Sequence, residues 1–175
     1  MSSSSPSDAE SEPALAPGFD AATLKAANIN PVTGLATDYL NHYNEAAMLV
    51  SMLADMPEMA DEILAWAPID YAEHFYRTAF KDRDLAVAAY DRADPDVKAR
   101  FAAARREIET AIRGVQQVLS VSPSEPRDWG GEAQVIFDLI AQAGGVINGA
   151  EGEEAAGGPE EADGSPQSEI DALFA

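Results

Sequence analysis

The sequence predicts an all-α protein, on three observations. No stretch of convincing length alternates apolar and polar residues with period two, so strands are unsupported. Apolar residues instead recur at the 3.6-residue period through several segments between residues 30 and 147. Those segments are punctuated by helix-start pairs, Asn30-Pro31, Asp70 with Glu73, and Asp94-Pro95. In each, a short polar side chain can cap free amides, and in the two Pro pairs proline fits the first turn, where its missing N–H has no partner to lose. The expected architecture is a compact, bundle-like domain of five to seven helices over residues 19–147, large enough for one hydrophobic core.

Residues 1–18 are mostly Ser, Pro, Ala and acid and are expected to form a disordered arm. Asp20 can cap a short helix running to about Asn28. A second helix is expected from Pro31 to about Met56. Leu35, Tyr39, Tyr43, Ala46 or Ala47, and Val50 form its stripe, and Leu40, Met48, Leu49, Met52 and Leu53 widen it. Pro57 opens a helix over about 58–66 with Met59, Ile63, Leu64 and Trp66 as its apolar side, and Ala67-Pro68 ends it. Asp70 caps a short helix from Tyr71 to about Phe80. After the polar joint Lys81-Asp82-Arg83-Asp84, another short helix spans Leu85 to Ala93.

Asp94-Pro95 opens the longest helix, about 95–120. Val97, Phe101, Ile108, Ile112, Val115 and Leu119 lie on one stripe, and Arg105, Arg106, Glu107, Glu109 and Arg113 lie on its charged side. That side reads as a solvated face with i, i+4 pairs or as a docking surface. Val121 to Gly131 contains two prolines and reads as a loop. Residues 132–147 form the last helix, with Val135, Ile136, Leu139, Ile140, Val146 and Ile147 apolar, and Gly144-Gly145 is a place where it can end early. From Asn148 to Pro166 the composition is Gly, Ala, Glu and Pro, a flexible acidic linker with an average reach of about 24 Å.

The charge is strongly uneven. The net charge is −20, and all 11 Lys and Arg lie between Lys25 and Arg127, while residues 149–175 hold eight acids and no base. Nucleic-acid binding is excluded as an expectation, because phosphate contacts need clustered cations. Anionic membrane surfaces are disfavoured for the same reason, and no apolar run approaches the roughly 20 residues of a membrane span. The first residues lack the basic and apolar regions of a secretory signal, so a cytoplasmic location is expected. The chain has no cysteine, which removes disulfides, thiolate catalysis and cysteine metal sites.

Chemistry-bearing patterns are sparse. His42 has Asp38 four residues before it and His74 has Asp70, each pair a surface hydrogen bond or half a metal site. With no His-x-x-x-His and no Glu-x-x-His, no metal is expected. Trp66, Tyr71, Phe75, Tyr76, Phe80 and Tyr90 crowd the middle of the chain, as core packing or as an aromatic pocket. Gly130-Gly131 and Gly144-Gly145 lack the strand before and the Lys-Ser/Thr after them that a phosphate loop needs. No cofactor is expected of the chain itself.

The last nine residues, Gln167-Ser168-Glu169-Ile170-Asp171-Ala172-Leu173-Phe174-Ala175, form an amphipathic cassette. Ile170, Leu173 and Phe174 fall at i, i+3, i+4, one stripe of a helix, with Glu169 and Asp171 away from it. Such a segment reads as a partner-binding helix that orders in a groove, or as a helix that docks back on its own domain. Gln167, Glu169, Ile170, Asp171, Leu173 and Phe174 are its candidate contact residues. The cassette resembles the CheY-binding segment of the flagellar switch protein FliM, with the pattern Ser-Gln-x-Glu-Ile-Asp-Ala-Leu-Leu. Two positions differ: Pro166 stands in place of the Ser and Phe174 in place of the last Leu. That segment is N-terminal in FliM. The CheY phosphatase CheZ, by contrast, ends in an acidic-apolar helix that captures CheY.

The resemblance implies a chemotaxis or flagellar signalling accessory protein whose partner is a CheY-like receiver. It also directs attention to Asp138-Leu-Ile-Ala-Gln142, since CheZ-type phosphatases carry Asp-x-x-x-Gln on a helix. In that family Gln142 would orient the attacking water and Asp138 would pair with the receiver's active-site lysine, with Mg²⁺ held by the receiver. A structural or assembly role in the flagellar apparatus is a third expectation. The oligomeric state and the ligand of the helical body stay open.

Overall fold

A computed structural model describes residues 18–150. Within them the fold is all-α, as the periodicity predicts. It contains α1 (Ala21–Ala26), α2 (Asn41–Met52), α3 (Ala60–Ala65), α4 (Tyr71–Arg77), α5 (Arg83–Asp91), α6 (Pro95–Val121) and α7 (Trp129–Ile147). Two 3₁₀ turns, Thr37–Leu40 and Pro57–Met59, lead into α2 and α3. Residues 1–17 of the arm expected over 1–18, residues 151–166 of the linker expected over 148–166, and the cassette 167–175 lie outside the described residues.

Three helices make the core. α7 packs along both α2 and α6, antiparallel to α6 across the loop 122–128, while α4 and α5 close the side of the 3₁₀ turn before α2. Phe101, Ile108, Ile112, Val115 and Leu119 of α6 are buried on the predicted stripe, facing Ala133, Ile136, Ile140, Ala143 and Ile147 of α7. Tyr39, Tyr43, Ala46, Ala47 and Val50 fill the space between them. The many alanines let the helix backbones approach closely while Tyr and Phe supply the buried area.

The caps follow the sequence. The carboxylate of Asp20 accepts from the Thr23 amide at 3.1 Å, Asp70 from Glu73 at 2.7 Å and Asp94 from Asp96 at 2.7 Å. Both ends of the described fold carry Schellman closures. At α1 the Ile29 amide reaches the Leu24 carbonyl at 2.9 Å and Asn28 takes φ 57°. At α7 the Ala150 amide reaches Gly145 at 2.9 Å and Gly149 takes φ 78°. Residues 148–150 are therefore the cap of α7 rather than the start of a linker.

Several boundaries depart from expectation. The helix expected from Pro31 makes one turn only. Asn30 Oδ1 accepts from the Val32 and Thr33 amides at 2.9 and 3.1 Å, but Gly34 then adopts φ 72° and the chain runs extended to Ala36. A Cβ at Gly34 would stand 2.8 Å from the Ala89 carbonyl oxygen, so close packing against α5 dictates the break. α2 also ends at Met52 rather than Met56, and α4 ends at Arg77, before Phe80.

α7 begins at Trp129 and takes Gly130-Gly131 into its first turn. Asp128 caps it through the Gly131 amide at 2.9 Å, and its carboxylate occupies the place a Cβ on Gly131 would need. Gly144-Gly145 does not break the helix; Gly144 faces Leu40 where α7 crosses the 3₁₀ turn. Of the residues expected inside, Met48, Leu64, Tyr76 and Val135 are exposed.

Candidate functional site

Asp138 and Gln142 stand one turn apart on the outer face of α7, both exposed. Spacing i, i+4 puts them side by side. The Asp138 carboxylate accepts from Gln134 Nε2 at 2.8 Å, which steadies one oxygen and leaves the other free. No recess encloses the pair. Any chemistry there would have to be completed by groups on a partner. The candidate partner-binding residues Gln167, Glu169, Ile170, Asp171, Leu173 and Phe174 lie outside the described residues.

The histidines are not arranged as the sequence pairs suggested. Asp70 is occupied as the cap of α4, and Asp38 lies beside His74, not His42. His74 is 95 % buried, correcting its reading as a surface group, and its ring meets Tyr39 edge-on at 5.4 Å. Burial, reinforced by the neighbouring His42, holds the His74 imidazole below the usual histidine range, and the Asp38 side opposes this. His42 stacks on Trp66 at 4.7 Å, with Nε2 2.9 Å from the Ala67 carbonyl, while Trp66 Nε1 donates to the His42 carbonyl at 3.3 Å. Burial lowers the His42 pKa as well. Among the described residues no group of three potential metal ligands comes together.

The charged side of α6 is also not uniformly solvated. Arg105 and Glu109 keep only 19 % and 13 % of their side-chain surface exposed. Glu109 Oε1 accepts from the Tyr43 hydroxyl at 2.8 Å, and Arg105 Nε donates to the same hydroxyl at 3.3 Å. Arg105 also lies over the Tyr39 ring at 5.1 Å. Burial pushes both tyrosine hydroxyls upward, so they remain proton donors, and Tyr39 donates to the Ile69 carbonyl at 2.8 Å. Gln116 completes this side by donating to the Ile63 and Trp66 carbonyls, each at 2.8 Å, which closes the end of α3 against α6. These groups are partnered within the fold and hold it together. The central aromatics likewise pack: Tyr71 stacks on Tyr90 at 4.3 Å and Phe75 meets Phe80 edge-on at 4.8 Å.

Two recesses on the body concern the candidate residues. One is a cleft of about 510 Å³ between the end of α1, the start of α2 and the α4–α5 joint, where Asp38, Asn41, His74 and Lys81 meet. Its left-handed residue, Asn28, is accounted for by the α1 cap. No local pattern in the chain signals this cleft, since its residues come from three separate segments. The other is a shallow groove of about 660 Å³ on the outer side of α6 and α7, with Ala103, Arg106, Glu107, Thr110 and Ala111 on one wall and Leu139 on the other. Leu139 directly follows Asp138 and lies three residues before Gln142 on α7. No described helix is long and apolar enough to cross a membrane. Compared with known proteins, the chain matches no family, no curated protein and no solved structure.

Proposed function

We propose that this chain is a signalling accessory protein that binds a CheY-like receiver through residues 167–175. The observation that carries the reading is the cassette itself, Gln167-Ser-Glu-Ile-Asp-Ala-Leu-Phe174, which follows a helical body in a segment of eight acids and no base. Burial of Ile170, Leu173 and Phe174 contributes roughly 2 kcal/mol each, offset by the cost of ordering the peptide. The balance suggests an affinity on the order of micromolar to tens of micromolar, suited to a reversible switch. The test is titration of a labelled peptide, residues 160–175, with a panel of receivers, each with and without a phosphoryl mimic. Selective binding that strengthens with the mimic and vanishes in Leu173→Ala is expected. Absence of binding to every receiver would remove the reading.

One observation favours a second, catalytic reading. A CheZ-like phosphatase must present its acid and amide outward, to enter the receiver's site. Asp138 and Gln142 are both exposed on one face of a long, well-packed helix. Positioning a water beside an aspartyl phosphate needs geometry more than a strong base. Gln142→Ala would then abolish stimulated dephosphorylation while leaving peptide binding intact. A variant that dephosphorylates the receiver as fast as the parent chain would eliminate this reading.

A further inference from the structure

We infer that the groove between α6 and α7 is an intramolecular seat for the cassette 167–175, so that the body and the receiver compete for the same peptide. The inference rests on the receiver reading only for its consequence; the seat itself is argued from the groove, the charge and the reach.

The groove has the shape and lining for such an occupant. Ala103 and Ala111 make a low wall on α6, and at Gly114, one turn further along the same face, a Cβ would meet nothing within 4 Å. Leu139 forms the opposite wall. Val135, one turn before it on α7, is 53 % exposed and extends the apolar strip. A shallow trough whose α6 wall sets Ala103 and Ala111 among Arg106, Glu107 and Thr110, opposite Leu139 and Val135, accepts Ile170, Leu173 and Phe174 as a single apolar stripe with polar groups beside it.

Charge points the same way. α6 carries five bases, Lys98, Arg100, Arg105, Arg106 and Arg113, against three acids, Asp96, Glu107 and Glu109, and is thus positive in a chain of −20. Arg105 is held by Glu109 and Tyr43. Arg106 and Arg113 are exposed and have no carboxylate within ion-pair distance among the described residues. They stand two turns apart on the outer side of α6, where Glu169 and Asp171 of a seated cassette can meet them.

The tether allows it. Sixteen residues, 151–166, separate the end of the described fold from the cassette, an average span of about 22 Å. Leu139 lies only eight residues before Ile147 on α7, about 12 Å along the axis. A tether matched to its span raises the local peptide concentration to about millimolar, so even a weak seat is substantially occupied.

The test uses the full chain. It contains no cysteine, so Ser165→Cys carries a single nitroxide label just before the cassette. Selective relaxation broadening of the amides of Ala103 to Gly114 and Val135 to Leu139 is expected, while those around Lys81 remain sharp. Leu173→Ala with Phe174→Ala should abolish the broadening in a chain whose circular dichroism matches the parent, and Arg106→Glu with Arg113→Glu should weaken it. Broadening that is absent or spread evenly over the surface overturns the inference.

If the seat exists, the full chain binds its receiver about threefold to tenfold more weakly than peptide 160–175, and Arg106→Glu with Arg113→Glu narrows the gap. Equal affinities for chain and peptide overturn the competition while leaving the receiver reading standing. Failure of the peptide to bind any receiver removes that reading without altering the broadening result.

Discussion

The Tyr43 hydroxyl donates to the Glu109 carboxylate at 2.8 Å, joining α2 to α6 through two side chains that are otherwise largely enclosed. The same hydroxyl accepts from Arg105, so one phenol oxygen links an acid and a base of the neighbouring helix. Removing that oxygen leaves both groups under-partnered in a site water reaches poorly. Tyr43→Phe should lower the unfolding free energy by about 1–2 kcal/mol. Urea denaturation would measure it, and a variant as stable as the parent would show that the network contributes nothing net.

Gly34 sets the course of the chain between α1 and α2. Its φ of 72° and the 2.8 Å that a Cβ would leave to the Ala89 carbonyl act together. Gly34→Ala should cost about 2–3 kcal/mol, more than the usual left-handed penalty alone, because α5 must also shift. Thermal unfolding should show a matching fall in Tm, and a stabilised variant would mean that the turn can relax into a right-handed conformation.

Asn28 takes φ 57° as the residue closing α1. Asparagine tolerates this region, but glycine does so with less strain. Asn28→Gly should therefore stabilise by about 0.5–1 kcal/mol and Asn28→Ala should destabilise by a similar amount. Opposite signs for the two substitutions in the same denaturation assay are the signature to look for.

Burial depresses the folded-state pKa of His74, and of His42, below the ordinary histidine value of about 6.5. The unfolded chain then binds more protons than the folded one as pH falls below about 6.5, so stability is full above that value and declines through the folded pKa. The parent should be less stable at pH 5.5 than at pH 7.5. His74→Phe, placed among Tyr39 and Phe75, should show a smaller difference between the two conditions. Unchanged pH dependence in the variant would mean that His74 titrates alike in both states.

Much of the fold was legible in the chain. A single stripe with an Asp-Pro start located α6 to within a residue or two, since both signals are local and self-reinforcing. Asp20, Asp70 and Asp94 cap as their spacing implied. The candidate pair Asp138 and Gln142 lies on one helix face because i, i+4 spacing requires it, whatever surrounds them.

What the sequence by itself determined is helical class, most helix starts and the apolar seam of α6, because capping and the 3.6 period depend on residues within a turn or two. Tertiary structure alone decided that the Pro31 turn stops at Gly34, since the obstacle there is the Ala89 carbonyl of a helix some fifty residues later. It alone turned Arg105 and Glu109 inward, because their partner Tyr43 sits on another helix. It alone placed Asp38 beside His74, and left Val135 outside while Ile136, next to it, is buried. Each of these depends on which faces meet across the core, and periodicity fixes a face on its own helix without naming what lies opposite.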